Sequence, residues 1–543
     1  MPVHSGAGET VFLGGLVWPG AGPAAGGEPS AMAVAGGRVV ALGSDVELRE
    51  LIGPGSTVIE LQGRRVIPGL IDGHMHATRA GLTWTSELHW DGVRDVGSAL
   101  ATVSEAADRA APGQWIRAVG GWHPCQFTEA REPTRDELDK AAGDHPAYVQ
   151  ALYEVAVLNS AAVRDSGLDG LTGDLPGGRI ERDPDTGQPT GRVYGLGAFT
   201  FCLAAAGTSG REQQRRSTAG MVADMHASGL TGIVDPGGFG MVPESYDPLF
   251  DLWRAGELTM RMRLFLSAAH PGQEYDEVDA WLRHAQTRFG DEMLQVLGAG
   301  EVVHFGCHDF EGQQSFTMSD ESAAELLRIA RRVAERGWPL HIHAVLDSSV
   351  SRIIDCWESV NSETPIAGLR FSLAHADRIS PRNLSRLRAL GAGVVLDDRQ
   401  VFKAETSAAA WGGGDVMSRV PPVGDIITAG IPVAASTDAT RASSWSPWLS
   451  LWWLTTGTSL DGVRRRGPGQ LATRAQALEW YTAGSAWLSF EEADRGHLRP
   501  GARADLAVLS EDYFTVPGDR IPAIRSELTM VGGRVVHSSG ALA

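Results

Sequence analysis

His74 and His76 stand two residues apart at the end of the run Val66-Ile67-Pro68-Gly69-Leu70-Ile71-Asp72-Gly73. Up to Ile71 the run is apolar, β-branched and bounded by turn residues, the pattern of a strand covered on both faces. Residues two apart in extended backbone point to the same side, so these imidazoles make half of a site for a divalent cation. Three more candidates end apolar runs further along: His343 after Leu340-His341-Ile342, His375 after Phe371-Ser372-Leu373-Ala374, and Asp438 after Ala434-Ala435-Ser436-Thr437. Neutral imidazoles hold a zinc-like ion with one position left for water, whose pKa falls to about 7. An aspartate beside that water can take its proton and pass it to a leaving nitrogen, as general base and then general acid.

Such residues act together only if separate strands deliver them to one place. The runs 66–71, 230–235, 261–267, 294–305, 339–343, 369–375, 391–396 and 431–436 alternate with helical stretches. Eight such runs close a (β/α)8 TIM-like barrel, whose active site forms at the C-terminal strand ends. The stretch 319–336 has apolar residues at helical spacing and stops at Gly337, and 380–390 opens with Ser-Pro and stops at Gly391. Short β segments at both ends, including 10–18, 31–42, 504–509 and 528–537, predict a discontinuous small β-sandwich built from the two termini. The gap after strand one is too long for one crossover helix and predicts an inserted lobe over the barrel mouth. The expected division is 1–65 and 491–543 for the sandwich and 66–490 for an α/β barrel, with the lobe at about 83–215.

Composition narrows the function classes. A formal charge of −19 over 543 residues argues against nucleic-acid or anionic-membrane partners, which need clustered Lys and Arg. No apolar run reaches the roughly 20 residues that span a bilayer, and the N-terminus lacks a basic start followed by an apolar stretch. Cys125, Cys202, Cys307 and Cys356 are widely spaced, which fits reduced thiols in a cytoplasmic protein.

The run from Val66 to His76 resembles the opening motif of the amidohydrolase superfamily. Gly121-Trp122, Pro133-Thr134-Arg135-Asp136-Glu137-Leu138-Asp139, Asn159-Ser160-Ala161-Ala162, Pro189-Thr190-Gly191 and Ser436-Thr437-Asp438 resemble its YtcJ-like branch, which includes N-substituted formamide deformylases. Gly501-Ala502-Arg503-Ala504-Asp505-Leu506-Ala507-Val508-Leu509 resembles the family's return into the terminal β-sandwich. The resemblance implies a metal-dependent hydrolase of a carbon–nitrogen bond in a small amide, with homo-oligomers as a family expectation. It implies His74, His76, His343, His375 and Asp438 as ligands of a divalent metal, zinc first among the candidates, with Asp438 as proton shuttle.

One position departs from the pattern. Many relatives carry on strand four a lysine that, once carboxylated, bridges two metals; here Glu301 stands in its place. A glutamate bridges two ions or binds one, so one or two ions are both open. His304 and His308 are alternative ligands or substrate contacts, and His341, one layer deeper, is expected to orient a ligand. Trp122, His123, Trp411 and Arg441 are candidate substrate contacts, as is Asp377. The alternatives are a metal-dependent deaminase of a small heterocycle and, from another class, a barrel serving as a non-catalytic assembly module.

Overall fold

The computed structural model describes residues 10–20, 27–310 and 313–542; the N-terminal segment read for a signal peptide lies partly outside them. Its central sheet collects the most apolar runs of the chain: β1 (Leu70–Asp72), β2 (Leu230–Asp235), β3 (Arg261–Leu266), β4 (Leu294–Glu301), β5 (Leu340–Ala344), β6 (Ser372–His375), β7 (Gly393–Leu396) and β8 (Val433–Ala435). Neighbours pair in parallel and in chain order. The last strand meets the first through backbone bonds: the Gly73 N–H donates to the Ala435 carbonyl, and the Asp438 N–H to the His74 carbonyl, each 2.9 Å. Gly73 is fitted to that approach, because a Cβ would lie 3.0 Å from the Ala435 carbonyl oxygen. The result is the TIM-like barrel expected from the eight runs.

Crossover helices cover the outside, and their ends follow the sequence signals. Asp320–Glu335 buries Ala323, Leu326, Ile329, Ala330, Val333 and Ala334, one apolar stripe at 3.6-residue spacing, behind a Ser319 cap. Pro381–Leu390 starts with Ser380 as cap and proline next, and ends at Gly391 in the left-handed region at φ +67°. No helix among the described residues is long and apolar enough to cross a membrane.

The expected strand 66–71 is in fact two. Arg65–Pro68 pairs with Leu16–Val17 and Leu506–Leu509 in a sheet drawn from both termini, and only Leu70–Asp72 enters the barrel. Gly69 makes the break possible, since a Cβ there would lie 2.2 Å from the Thr231 side chain. A second terminal sheet, with Thr10–Leu13 and Ala31–Ala35 at its centre, shares with the first an apolar cluster that includes Phe12, Met32, Val66, Leu506 and Met530. Between β1 and β2 the chain builds a five-stranded sheet of its own, from Ile116–Val119 to Pro189–Tyr194, with its own apolar clusters.

Candidate metal centre

The C-terminal ends of five barrel strands converge on one buried space. β1 runs out through Asp72, whose carboxylate accepts the His74 N–H at 3.0 Å and the Thr437 hydroxyl at 2.7 Å, tying the first strand end to the eighth. Burial pushes the Asp72 carboxyl up to about 6. Glu301 is the last residue of β4, His343 lies in β5, His375 ends β6, and Asp438 follows β8. Gly300 lets Glu301 reach inward, because a Cβ there would meet the His341 carbonyl oxygen at 2.2 Å. His375 and Asp438 hold φ of +73° and +56°. That region costs a non-glycine residue of order 1–3 kcal/mol and persists only where the surroundings enforce it. Here the bond from Asp438 to the His74 carbonyl and the β6 pairing do so.

Hydrogen bonds on the outer nitrogens decide which nitrogen faces inward. His76 Nδ1–H donates to the Gly237 carbonyl at 2.7 Å, leaving Nε2 for the centre. His74 Nδ1 lies 2.8 Å from His341 Nε2, and His341 Nδ1 lies 2.8 Å from the Ser372 hydroxyl. His341 thus orients His74 from one layer below. His375 Nδ1–H donates to Asp397 at 2.7 Å, and His343 Nε2–H to the Asp309 carbonyl at 2.5 Å. His308 stacks on His343 with ring centroids 3.7 Å apart.

Inside, His74 Nε2 lies 2.7 Å from Glu301 Oε2 and 3.5 Å from Asp438 Oδ1, while His76 Nε2 lies 3.3 Å from the same Asp438 oxygen. Potential ligand atoms of His74, His76 and Glu301 lie within 4.8 Å of one another, as do those of Glu301, His308 and His343, and those of His375, Asp397 and Asp438. Glu301 belongs to two of these groups.

The electrostatics suit a cation. Burial pulls the His74 imidazole down, but Glu301 and Asp438 outweigh it and raise it to about 10. Burial raises Glu301 as well, yet the charges of His74 and His76 hold it well below the carboxylate range. His375 and His341 are held well below theirs, first by burial and then by Arg399 and His74 respectively, which favours the neutral imidazole that metal binding requires. His375 Nε2 is buried with no hydrogen-bond partner among the described residues, and His74 Nε2 and Glu301 Oε2 face each other at 2.7 Å in the same buried space. Leaving an atom such as His375 Nε2 unsatisfied costs about 1–3 kcal/mol. Imidazole nitrogens and carboxylate oxygens aimed into one space fit a divalent ion of the zinc type.

The amidohydrolase family model matches residues 57–537. The chain belongs to that family. This amidohydrolase is 26% identical over 504 residues to an N-substituted formamide deformylase of Arthrobacter pascens, covering 89% of this chain and 90% of the relative. It is 24% identical over 536 residues to the putative amidohydrolase YtcJ of Bacillus subtilis (strain 168), covering 93% and 96%. Its fold is similar to that of an uncharacterised metal-dependent hydrolase from Pyrococcus horikoshii OT3, with a TM-score of 0.66 at 17% identity, over 94% of this chain and 99% of that one.

Above the inner set lies a cavity of about 650 Å³ whose floor includes His76, Glu301, His343, His375 and Asp438. Arg441 lines it, as the sequence suggested. His308 lines it as well, while Trp122, Trp411, His304, His123 and Asp377 sit outside the lining. Trp122 is fully buried, stacked on Phe127 and edge-on to Trp90, inside the inserted sheet's own core. Trp411 packs with Leu346 and Val420, its indole N–H bonded to the Gln313 carbonyl. His304 lies 3.1 Å from Glu274, outside the lining. His123 reaches the cavity only through Glu154, 2.9 Å away, and Asp377 is buried beside Arg399 and Gln400. Sequence reasoning missed Asp397 and Asp309. Asp397 follows β7 directly, so the strand-end rule that found His375 also reaches it; Asp309 sits in a loop after β4 and carries no such signal.

Proposed function

We propose that this amidohydrolase cleaves the carbon–nitrogen bond of a small N-substituted amide, with His74, His76, Glu301, His343, His375 and Asp438 holding two divalent ions, zinc first among the candidates. The convergence of these six side chains in one buried space, with His375 Nε2 unpartnered among the described residues, carries the reading. Glu301 shares one group with His74 and His76 and another with His308 and His343, which favours it as the bridge. Bound ions supply Lewis acidity, which acidifies water and polarises a carbonyl.

The chain's own residues do the rest. Asp438 stands on the cavity floor, its carboxyl held well below the usual range: burial raises it, but bonds to His74 and His76 outweigh that. As a carboxylate it accepts the proton of the attacking water and returns it to the leaving nitrogen, so that acid and amine depart. Arg399 Nε lies 3.5 Å from Asp438 Oδ2 and sets a positive charge beside that carboxylate. The relative from Arthrobacter pascens is named for N-substituted formamides, which makes that class the first to try.

Zinc-replete protein is expected to convert an N-substituted formamide to formate and a primary amine in equal amounts. Ammonia as product from a heterocycle would support the deaminase, and metal-replete protein inert on both would leave only the fold.

A further inference from the structure

Two arginines line the cavity above the inner set. Arg79 belongs to the short helix Ala77–Gly81 that follows His76, and Arg441 to the segment after Asp438, so both rise from the adjoining strands β1 and β8. Neither makes an ion pair or a hydrogen bond with any described residue. Burial and then the Arg79 charge pull the Arg441 guanidinium below the usual arginine range. Arginine nonetheless stays charged, and two like charges on one half-buried wall are unfavourable until an anion joins them. Glu154, an acid on the cavity wall, lies 2.9 Å from His123. Phe239 and Phe310, from the loops after β2 and β4, stack with centroids 5.9 Å apart and add an aromatic face to the same cavity.

We propose that Arg79 and Arg441 form a carboxylate subsite, and that the preferred substrate is an amide carrying both a carboxylate and an aromatic group, as an N-acylated aromatic amino acid does. The proposal rests on the amide-hydrolase reading above and names its substrate class. Forked guanidinium groups recognise a carboxylate in bidentate fashion, which a neutral amide cannot exploit. Hydrolysis then adds one water across the carbon–nitrogen bond and releases a carboxylic acid and a free amino acid. A cavity of about 650 Å³ accommodates such a molecule.

The test compares N-formylphenylalanine, as both enantiomers, with N-formylphenethylamine, which lacks only the carboxylate, on zinc-replete protein. One enantiomer of the acid is expected to show a kcat/KM at least about tenfold above the neutral compound. That ratio should fall toward one in Arg441→Gln and in Arg79→Gln, and by less in Arg441→Lys, which keeps the charge. Because the ratio is taken within each variant, partial loss of folded protein does not mimic the effect. Equal or better use of the neutral compound by the native protein, or an unchanged ratio in both Gln variants, would overturn the subsite. If neither compound is hydrolysed, calorimetric titration of both separates the two ideas. Binding that needs the carboxylate and disappears in Arg441→Gln upholds the subsite while the hydrolase reading fails; no carboxylate-dependent binding overturns the subsite.

Discussion

His375 donates its Nδ1–H to Asp397 across 2.7 Å, and this bond turns the other ring nitrogen toward the cavity floor. Asp397 is itself fixed by the Arg399 Nε–H at 3.0 Å, so the imidazole is oriented by a buried pair that faces away from substrate. Partners of this kind typically contribute about 10–100-fold to metal affinity. Asp397→Ala is therefore expected to weaken zinc binding by about that factor, read by competition with a chromophoric chelator, and Asp397→Asn by less. Native affinity in the alanine variant would show that the barrel backbone alone sets the ring.

Asp438 has two duties in the proposed chemistry, ligand and proton carrier, and an amide side chain can serve only the first. Asp438→Asn is expected to keep the fold and most of the metal while kcat falls by about 10²–10⁴-fold, the usual worth of general acid–base catalysis. Metal content and turnover measured on the same sample separate the two duties. Turnover close to native would assign the proton transfer to another group.

The barrel and most of its inner set were legible because the signals are local. An apolar run ending in His or Asp marks both a strand and its functional end, which is how His74, His76, His343, His375 and Asp438 stand out. Glu301 was harder to place, since its run continues in sequence to Phe305 while β4 stops at Glu301 itself. The split at Gly69 was invisible for the opposite reason: it is set by Thr231, 162 positions away in the chain, pressing on a backbone with no side chain. Trp122 and Trp411 misled because an aromatic beside glycines reads alike whether it faces a cavity or a core; only packing against Trp90 and Phe127, or against Leu346, decides it.

Glu301 offers a direct reading of the ion count. In the proposed two-ion site Glu301 would belong to both ions, so its neutral isostere would weaken both and empty the weaker one. Native protein is expected to hold two zinc ions per chain by elemental analysis, and Glu301→Gln no more than one, with kcat/KM reduced by at least about tenfold. One ion in the native protein, unchanged in the variant, would reduce Glu301 to a neighbour of a single-metal site.

The terminal sheets are tied to the base of the barrel by buried charge. Asp505, just before Leu506–Leu509, accepts from Arg261 of β3 at 2.8 and 3.0 Å and from Arg495 at 3.1 Å. Burial pushes the Asp505 carboxyl up, and the two arginines outweigh it and hold it below the usual value. A carboxylate depressed in the folded state stabilises above its unfolded pKa of about 3.9, and that contribution is lost as pH falls through the folded value. Removing one partner of a buried pair costs about 3–5 kcal/mol, because the guanidinium groups are left uncompensated. Asp505→Asn is thus expected to unfold at lower urea concentration at pH 7, and the gap to the native protein should narrow as pH is lowered from about 4 toward 2. A gap that stays constant across that range would mean that the contribution of Asp505 is hydrogen bonding and packing, with no share from its charge.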